Sequence, residues 1–113
     1  MTISSMNFKV KASENFKKEA KRLSKKYPSL KIELEALGQE LSKEPTLGIP
    51  LGNDVFKIRL AISSKGKGKS GGARVITYVQ INDETVLLLS IYNKGEKDSI
   101  SNYEIKKLLD GYI

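Results

Sequence analysis

The chain has 113 residues, of which 39% are hydrophobic and 29% charged, and its formal net charge is +7. This length fits a single domain with one modest hydrophobic core. The sequence contains neither cysteine nor histidine, which excludes disulfides, thiol nucleophiles, Cys/His metal sites and a histidine base. We therefore expect any chemistry to depend on Lys, Arg, Tyr, Ser, Asp or Glu, with no metal and no other cofactor.

The sequence does not predict membrane insertion or export. Its apolar runs are too short to span a bilayer, and residues 1–6 lack the charged start and apolar stretch of a secretion signal. We expect one domain over residues 1–113, frayed at residues 1–6, in the cytoplasm and without a membrane partner.

The N-terminal half predicts one strand and two helices. Residues 8–12 alternate between apolar side chains and lysine, which favours a short strand with one buried face. Ser13 is placed to cap a helix, because apolar residues recur every three or four positions over 16–27. Ser29 is placed to cap a second helix over 30–41, and two helices joined so closely must run antiparallel.

The C-terminal half changes to a period of two. Residues 44–54 carry two prolines and two glycines, which predicts an irregular connection. Ser101 and Glu104 have the spacing of a capping box, which predicts a short final helix. Three further segments have the pattern of strands: 56–62, 75–81 and 85–92.

The predicted element order is therefore β-α-α-β-β-β-α, which indicates an α+β domain. We expect a single antiparallel sheet with the helices packed on one face and the other face partly open.

The positive charge is concentrated in one quarter of the chain. From Val55 to Asn82 there is no Asp or Glu, while six cations occur there, including all of those in KGKGKSGGAR (65–74). Because side chains alternate along strands, Lys57, Arg59 and Arg74 should share the open face of the sheet. The loop cations Lys65, Lys67 and Lys69 should converge with them, since glycine-rich loops hold anions closely. The plainer interpretation is a solvated hairpin whose lysines prevent edge-to-edge aggregation.

A second polar cluster follows the last predicted strand. Tyr92, Lys94, Glu96, Lys97 and Asp98 lie where that strand leaves the sheet, beside the cationic face. A rigid strand end suits catalytic side chains. The alternative is an ordinary polar connection between a strand and a helix.

Two segments, FKIRLAISSKGKGKSGGARVI (56–76) and LLSIYNKGEKDSIS (88–101), resemble the RelE/ParE superfamily of bacterial type II toxins, and within it the HigB-like branch. The resemblance implies a small RelE-like fold. It also implies a ribosome-dependent mRNA endonuclease that blocks translation by 2′-hydroxyl attack in the ribosomal A site. The implied partners are a cognate antitoxin, the ribosome and mRNA.

The resemblance also assigns residues. It implies that Lys57, Arg59 and Arg74 are cationic active-site positions on the sheet, joined by Lys94 from the exit of the last strand. Tyr92 is a further catalytic candidate on its own chemistry, because it could donate its hydroxyl or stack on a base. Lys65, Lys67, Lys69 and Lys97 are then expected to bind RNA or the ribosome. The sequence departs from the family where some relatives supply an arginine and a tyrosine, because Gly95 and Ser101 stand there. The general base is therefore left open between Lys57, Tyr92 and Glu96.

Three other interpretations remain for the same residues. The chain could be a ParE-like inhibitor of DNA gyrase without nuclease activity. It could be a non-catalytic RNA-binding module, although such modules usually place their basic surface on helices. The lysines could also recruit an acidic antitoxin segment, which is compatible with the nuclease.

Overall fold

The computed structural model describes residues 7–66 and 71–112. The expectation that residues 1–6 are frayed lies outside the described residues, as do Lys67 and Lys69. The chain forms, in order, β1 (Lys9–Ala12), α1 (Glu14–Lys26), α2 (Leu30–Lys43), β2 (Ile49–Gly52), β3 (Val55–Leu60), β4 (Ala73–Gln80), β5 (Thr85–Asn93) and α3 (Asn102–Leu109). The α+β class is confirmed, and within the described residues no helix is long and apolar enough to cross a membrane.

Side-chain caps fix the starts of two of the helices. The Ser13 hydroxyl accepts a hydrogen bond from the Phe16 amide at 3.1 Å, and Ser101 and Glu104 form the predicted capping box of α3. The predicted cap at Ser29 is wrong, because its side chain makes no cap bond to α2. Its hydroxyl instead donates to the Glu33 carboxylate at 3.1 Å.

The sheet has five strands in the order β1-β5-β4-β3-β2. The prediction of an antiparallel sheet holds for β2 to β5, but β1 pairs with β5 in parallel. All nine residues of β5 are buried, so this strand needs a neighbour on both edges, and β1 supplies the second one. The paired helices α1 and α2 belong to the crossover that makes a parallel pairing possible.

The prediction of an irregular connection over 44–54 is wrong in its second half. There β2 pairs with β3 through a tight turn in which Asn53 and Asp54 have φ of 54° and 63°. Two successive residues with positive φ are typical of the turns that match the twist of a hairpin. Pro50 hid this strand from sequence analysis, and it is tolerated because β2 lies at the edge of the sheet.

The prediction that all helices share one face is also wrong. One cluster of apolar side chains joins α1 and α2 to Ile58, Val75 and Leu88. A second joins Ile105 and Leu109 of α3 to the opposite face, where Val55, Ile76, Leu87 and Leu89 lie. Because β5 is apolar on both faces, α3 covers the side that α1 and α2 leave free. The second face is therefore open only in part, over β3 and its neighbours.

Candidate nucleic-acid interface

A row of three side chains crosses the α3 face of the sheet. Arg59 of β3 is directly opposite Arg74 of β4, which in turn is opposite Tyr92 of β5. Directly opposed residues of antiparallel strands project to the same face, so these three side chains are neighbours. Lys57 lies two residues before Arg59 on the same face, opposite Ile76. We call Lys57, Arg59, Arg74 and Tyr92 the cationic row.

Members of the cationic row differ in their access to solvent. Arg59 is exposed and Lys57 is half-buried, whereas Arg74 and Tyr92 are each only 5% exposed. The Arg74 guanidinium donates to the carbonyl of Ala73 at 3.2 Å. Among residues 7–66 and 71–112, no carboxylate lies within ion-pair distance of Lys57 or Arg59. The accessible end of the row is therefore uncompensated positive charge.

Tyr92 keeps its hydroxyl proton at neutral pH. Its hydroxyl is buried and has no hydrogen-bond partner among the described residues. Burial raises the pKa of Tyr92, the charge of Arg74 opposes this, and the carboxylates of Glu104 and Asp98 add to the rise. A tyrosine in this state is suited to donating a proton or hydrogen bond and poorly suited to acting as a base.

Two lysines after β5 are paired with carboxylates. The Lys94 ammonium is 2.5 Å from the Asp98 carboxylate, and that hydrogen bond lowers the pKa of Asp98. Lys97 binds Glu104, and its ammonium lies 5.5 Å from the centre of the Tyr92 ring. The hydrogen bond from Lys97 lowers the pKa of Glu104, and the Ser101 amide adds to the effect. Sequence analysis assigned Glu104 only a capping role, because no local sequence pattern indicates its contact with Lys97.

Lys65 does not converge with the cationic row, contrary to expectation. Its ammonium binds the Asn93 side-chain oxygen and lies 5.7 Å from the centre of the Tyr27 ring. Tyr27 packs against the α1 and α2 cluster, so this contact is on the other side of the sheet. Asn93, which sequence analysis missed, also donates to the Tyr27 hydroxyl at 3.0 Å and accepts from the Gly95 amide at 3.1 Å.

Glu96, one of the three candidate bases, points away from the cationic row. Its carboxylate lies 3.3 Å from Arg22 and 3.9 Å from Lys26, both on α1. These contacts join the loop after β5 to the helical side of the domain.

A carboxylate on α1 supports the strand that carries Tyr92. The pairing of β4 with β5 shifts between Ile76 and Thr77, which are opposite Ser90 and Leu88. Leu89 is the extra residue of a bulge there. Glu19 accepts from the Ser90 hydroxyl at 2.8 Å and from the Ile91 amide at 3.2 Å, so it fixes the backbone just before Tyr92. No local pattern in the sequence predicted this role for Glu19.

A metal centre has no support among the described residues, where no group of three or more carboxylates could hold an ion. The arrangement instead offers arginine forks and lysines on one face, which suits binding of phosphate groups.

Comparison with known proteins places this arrangement in a family. A family model described as the RelE toxin of the RelE/RelB toxin–antitoxin system matches residues 8–110. The chain belongs to the RelE toxin family. The prediction of the superfamily is thereby confirmed, whereas the HigB-like branch stays a prediction.

Solved structures of RelE proteins share the fold. A mutant of the E. coli toxin RelE in the free state is 15% identical, with a TM-score of 0.63 over 96% of this chain and 100% of that one. A toxin–antitoxin complex, RelBE2 from Mycobacterium tuberculosis, contains a chain that is 18% identical, with a TM-score of 0.57 over 80% of this chain and 94% of that one. The isolated E. coli RelE toxin is 19% identical, with a TM-score of 0.52 over 91% and 97%.

Proposed function

We propose that this RelE-family chain is a ribosome-dependent mRNA endonuclease that blocks translation by cutting mRNA in the ribosomal A site. The observation that carries the proposal is the cationic row, whose accessible cations, Arg59 and Lys57, have no carboxylate partner among the described residues. A phosphodiester placed there would relieve the repulsion between neighbouring cations.

The proposed reaction is an internal transfer at phosphorus. The 2′-hydroxyl loses its proton and its oxygen attacks the adjacent phosphorus, while the bond to the 5′-oxygen of the next nucleotide breaks and that oxygen gains a proton. The products are a 2′,3′-cyclic phosphate and a 5′-hydroxyl. This reaction accounts for every bond and proton without a cofactor or metal. The protein must stabilise the extra negative charge of the pentacoordinate intermediate and move two protons.

The arginines fit the electrostatic part of this reaction. A guanidinium presents a fixed fork of donors that matches two phosphate oxygens. Arg59 is exposed, so an RNA strand would contact it first. Arg74 lies beside it and is almost completely buried. Because Arg74 is directly opposite Arg59, we assign it stabilisation of the same developing charge from beneath.

Lys57 and Tyr92 fit the proton transfers. Of the three candidate bases, Lys57 lies on the cationic row, whereas Glu96 is paired with Arg22 on α1 and burial raises the pKa of Tyr92. We assign it the exchange of protons with the 2′-hydroxyl. Tyr92, which retains its proton, is assigned as donor to the phosphate or to the leaving oxygen. Lys94 then contributes charge at the edge of the row, and Lys97 binds the RNA.

The proposed role of the ribosome is to align the RNA for cleavage. We propose that the ribosome holds the 2′-hydroxyl in line with the scissile bond. Correct alignment of reactants can contribute about 7–11 kcal/mol, so free RNA should be a poor substrate. Lys65, Lys67 and Lys69 are proposed to contact ribosomal or messenger RNA from the loop between β3 and β4.

A cognate antitoxin is the proposed protein partner. The M. tuberculosis relative was solved as a toxin–antitoxin complex, and the net charge of +7 suits an acidic inhibitor covering the cationic row. Action on ribosomes implies that the protein works in the cytoplasm.

The test is a purified translation system that reads one defined message, with the 3′ ends of its fragments mapped. Wild type should cut at codon-related positions. Arg59→Ala and Lys57→Ala should cut at least about 100-fold more slowly, since one lost donor to a developing anion costs 10²–10³ in rate. Lys18→Ala is the matched control, because that lysine is exposed on α1 and its loss should leave the rate within about threefold.

Two results would overturn the proposal. One is translation that continues with an intact message while DNA gyrase accumulates cleaved DNA, which indicates a gyrase inhibitor. The other is cleavage at wild-type rates in both Arg59→Ala and Lys57→Ala.

A further inference from the structure

A groove lies on the same sheet face as the cationic row but outside it. It runs between α3 and the β2–β3 turn and has a volume of about 640 Å³. Val55, Tyr78 and Leu109 give it an apolar floor, and Asn53, Asn102 and Lys106 lie at its polar rim. An apolar concavity with a few polar groups is typical of small-molecule sites. None of the roles assigned above uses it.

The groove is continuous with the cationic row. Arg59 and Arg74 form one pair across β3 and β4, Lys57 and Ile76 the next, and Val55 and Tyr78 the third. All three pairs project to the same face. Tyr78 is four positions after Arg74, which is about 13 Å along a strand. Since stacked nucleotides rise about 3.4 Å each, an RNA strand bridges this distance with about four nucleotides or fewer.

We propose that this groove binds a nucleobase of the RNA strand whose scissile phosphate lies at Arg59 and Arg74, and that Tyr78 is its stacking platform. The proposal rests on the nuclease function and specifies how the same site holds its substrate. Unpaired bases are commonly held in this way, by stacking on an aromatic ring and hydrogen bonding along their edges.

The side chains of the groove match the parts of a nucleotide. Tyr78 is partly exposed while packed against the second apolar cluster, so its ring is held firmly and still accessible. The amides of Asn53 and Asn102 can both donate to and accept from a base edge, and the Asp54 carboxylate, which also lines the groove, can accept from an exocyclic amino group.

Charge favours this occupant over an acidic peptide. Lys106 lines the groove, and Lys57 lies two residues from Val55 on the same face of β3, so these two lysines can take the phosphates that flank the base. A peptide that carries acids into the groove would meet Asp54, whereas a nucleotide keeps its charge on the backbone, outside it. The other possible occupant of the groove, an antitoxin segment, becomes an outcome of the test.

The test uses the full chain labelled with ¹³C at tyrosine and non-cleavable 2′-O-methyl RNA hexamers of adenosine or uridine. The hexamer should shift the ring resonances of Tyr78 and leave those of Tyr103 unchanged. Tyr78→Leu should weaken hexamer binding roughly 5-fold or more, within the 5- to 150-fold range expected for one aromatic stack. Tyr78→Phe should bind as wild type, and Tyr103→Leu, which removes an exposed tyrosine from the outer side of α3, is the matched control.

Unchanged ring resonances of Tyr78 on hexamer binding, with equal affinity for wild type and Tyr78→Leu, would overturn the proposal. The proposal would also be overturned if an acidic peptide of antitoxin sequence shifted the ring resonances of Tyr78 and the RNA hexamers did not. The variant Tyr78→Phe keeps the aromatic ring. If its thermal unfolding matches that of wild type, it is the folded reference with which a loss of hexamer binding in Tyr78→Leu is compared.

The two proposals fail separately. If wild type cuts messages on ribosomes but Tyr78→Leu cuts with the same rate and nucleotide preference, the base site is wrong and the nuclease stands. If wild type does not cut while the hexamer still shifts Tyr78, the nuclease is wrong and a single-strand binding groove stands.

Discussion

Replacing Glu19 with alanine should destabilise the whole domain, because this carboxylate satisfies polar groups that have no other partner. The Ser90 hydroxyl, in a residue that is 4% exposed, donates to it at 2.8 Å and the Ile91 amide at 3.2 Å. Asn15 also donates to Glu19, but it keeps a second bond to the carbonyl of Leu89. Glu19→Ala therefore leaves two groups unsatisfied at the bulge of β5.

The magnitude follows from those two groups. A buried polar group without a partner costs about 1–3 kcal/mol. The site is only partly buried, so water should recover some of this, and we expect the free energy of unfolding to fall by about 2–4 kcal/mol. That corresponds to a fall in Tm on the order of 10 °C for a domain of this size.

Urea unfolding followed by far-ultraviolet circular dichroism measures this loss. Glu35→Ala is the matched control, since Glu35 is exposed on α2 and its loss should change stability by less than about 0.5 kcal/mol. In a double-mutant cycle, Ser90→Ala should be nearly neutral once Glu19 is gone, because the unpartnered hydroxyl is then removed. Equal stability of wild type and Glu19→Ala, or strict additivity of the two changes, would refute the assignment.

Three further predictions concern the surroundings of Tyr92. Because burial raises the pKa of Tyr92, an absorbance titration should show one tyrosine ionising above pH 10; the stability linked to its proton is present below pH 10 and lost as the pH rises through the raised pKa. Tyr92→Phe should remove that step, and an unchanged titration would contradict the burial of the hydroxyl. Lys97 lowers the pKa of Glu104 below 4.5, so this pair stabilises the fold above pH 4.5 and the effect disappears as the pH falls through the lowered pKa. Glu104→Gln should show a shallower acid loss in urea unfolding, and a slope equal to that of wild type would argue against the ion pair. Asn93→Ala leaves the Tyr27 hydroxyl and the Gly95 amide without a partner, so it should lower the free energy of unfolding by about 1–3 kcal/mol, whereas a loss below about 0.5 kcal/mol would show that these bonds are replaced by water.

The parts of the fold that were predictable depend on neighbours in sequence. The strands β3, β4 and β5 follow one another, so alternation of side chains sufficed to place Lys57, Arg59 and Arg74 on one face. The position of Tyr92 opposite Arg74 depends only on the next strand pairing, β4 with β5. The capping box at Ser101 is equally local.

The parts that could not be predicted depend on distant contacts. Nothing in residues 9–12 indicates that they pair with Thr85 to Leu88, or in which direction. The side of the sheet that α3 takes depends on which face of β5 is still uncovered. The destination of Lys65 depends on Asn93 and Tyr27, from two other elements, so a charge pattern alone placed it on the wrong face.

The parallel pairing of β1 with β5 constrains how the protein is made. The strand β1 is made well before β5, yet it forms its hydrogen bonds with that strand, and β5 also carries Tyr92, which lies opposite Arg74. Contacts between such remote parts of a chain slow folding. A nascent chain that ends before β5 therefore contains most of the cations but has neither a closed sheet nor an assembled row, so the cationic row can form only after β5 has been made.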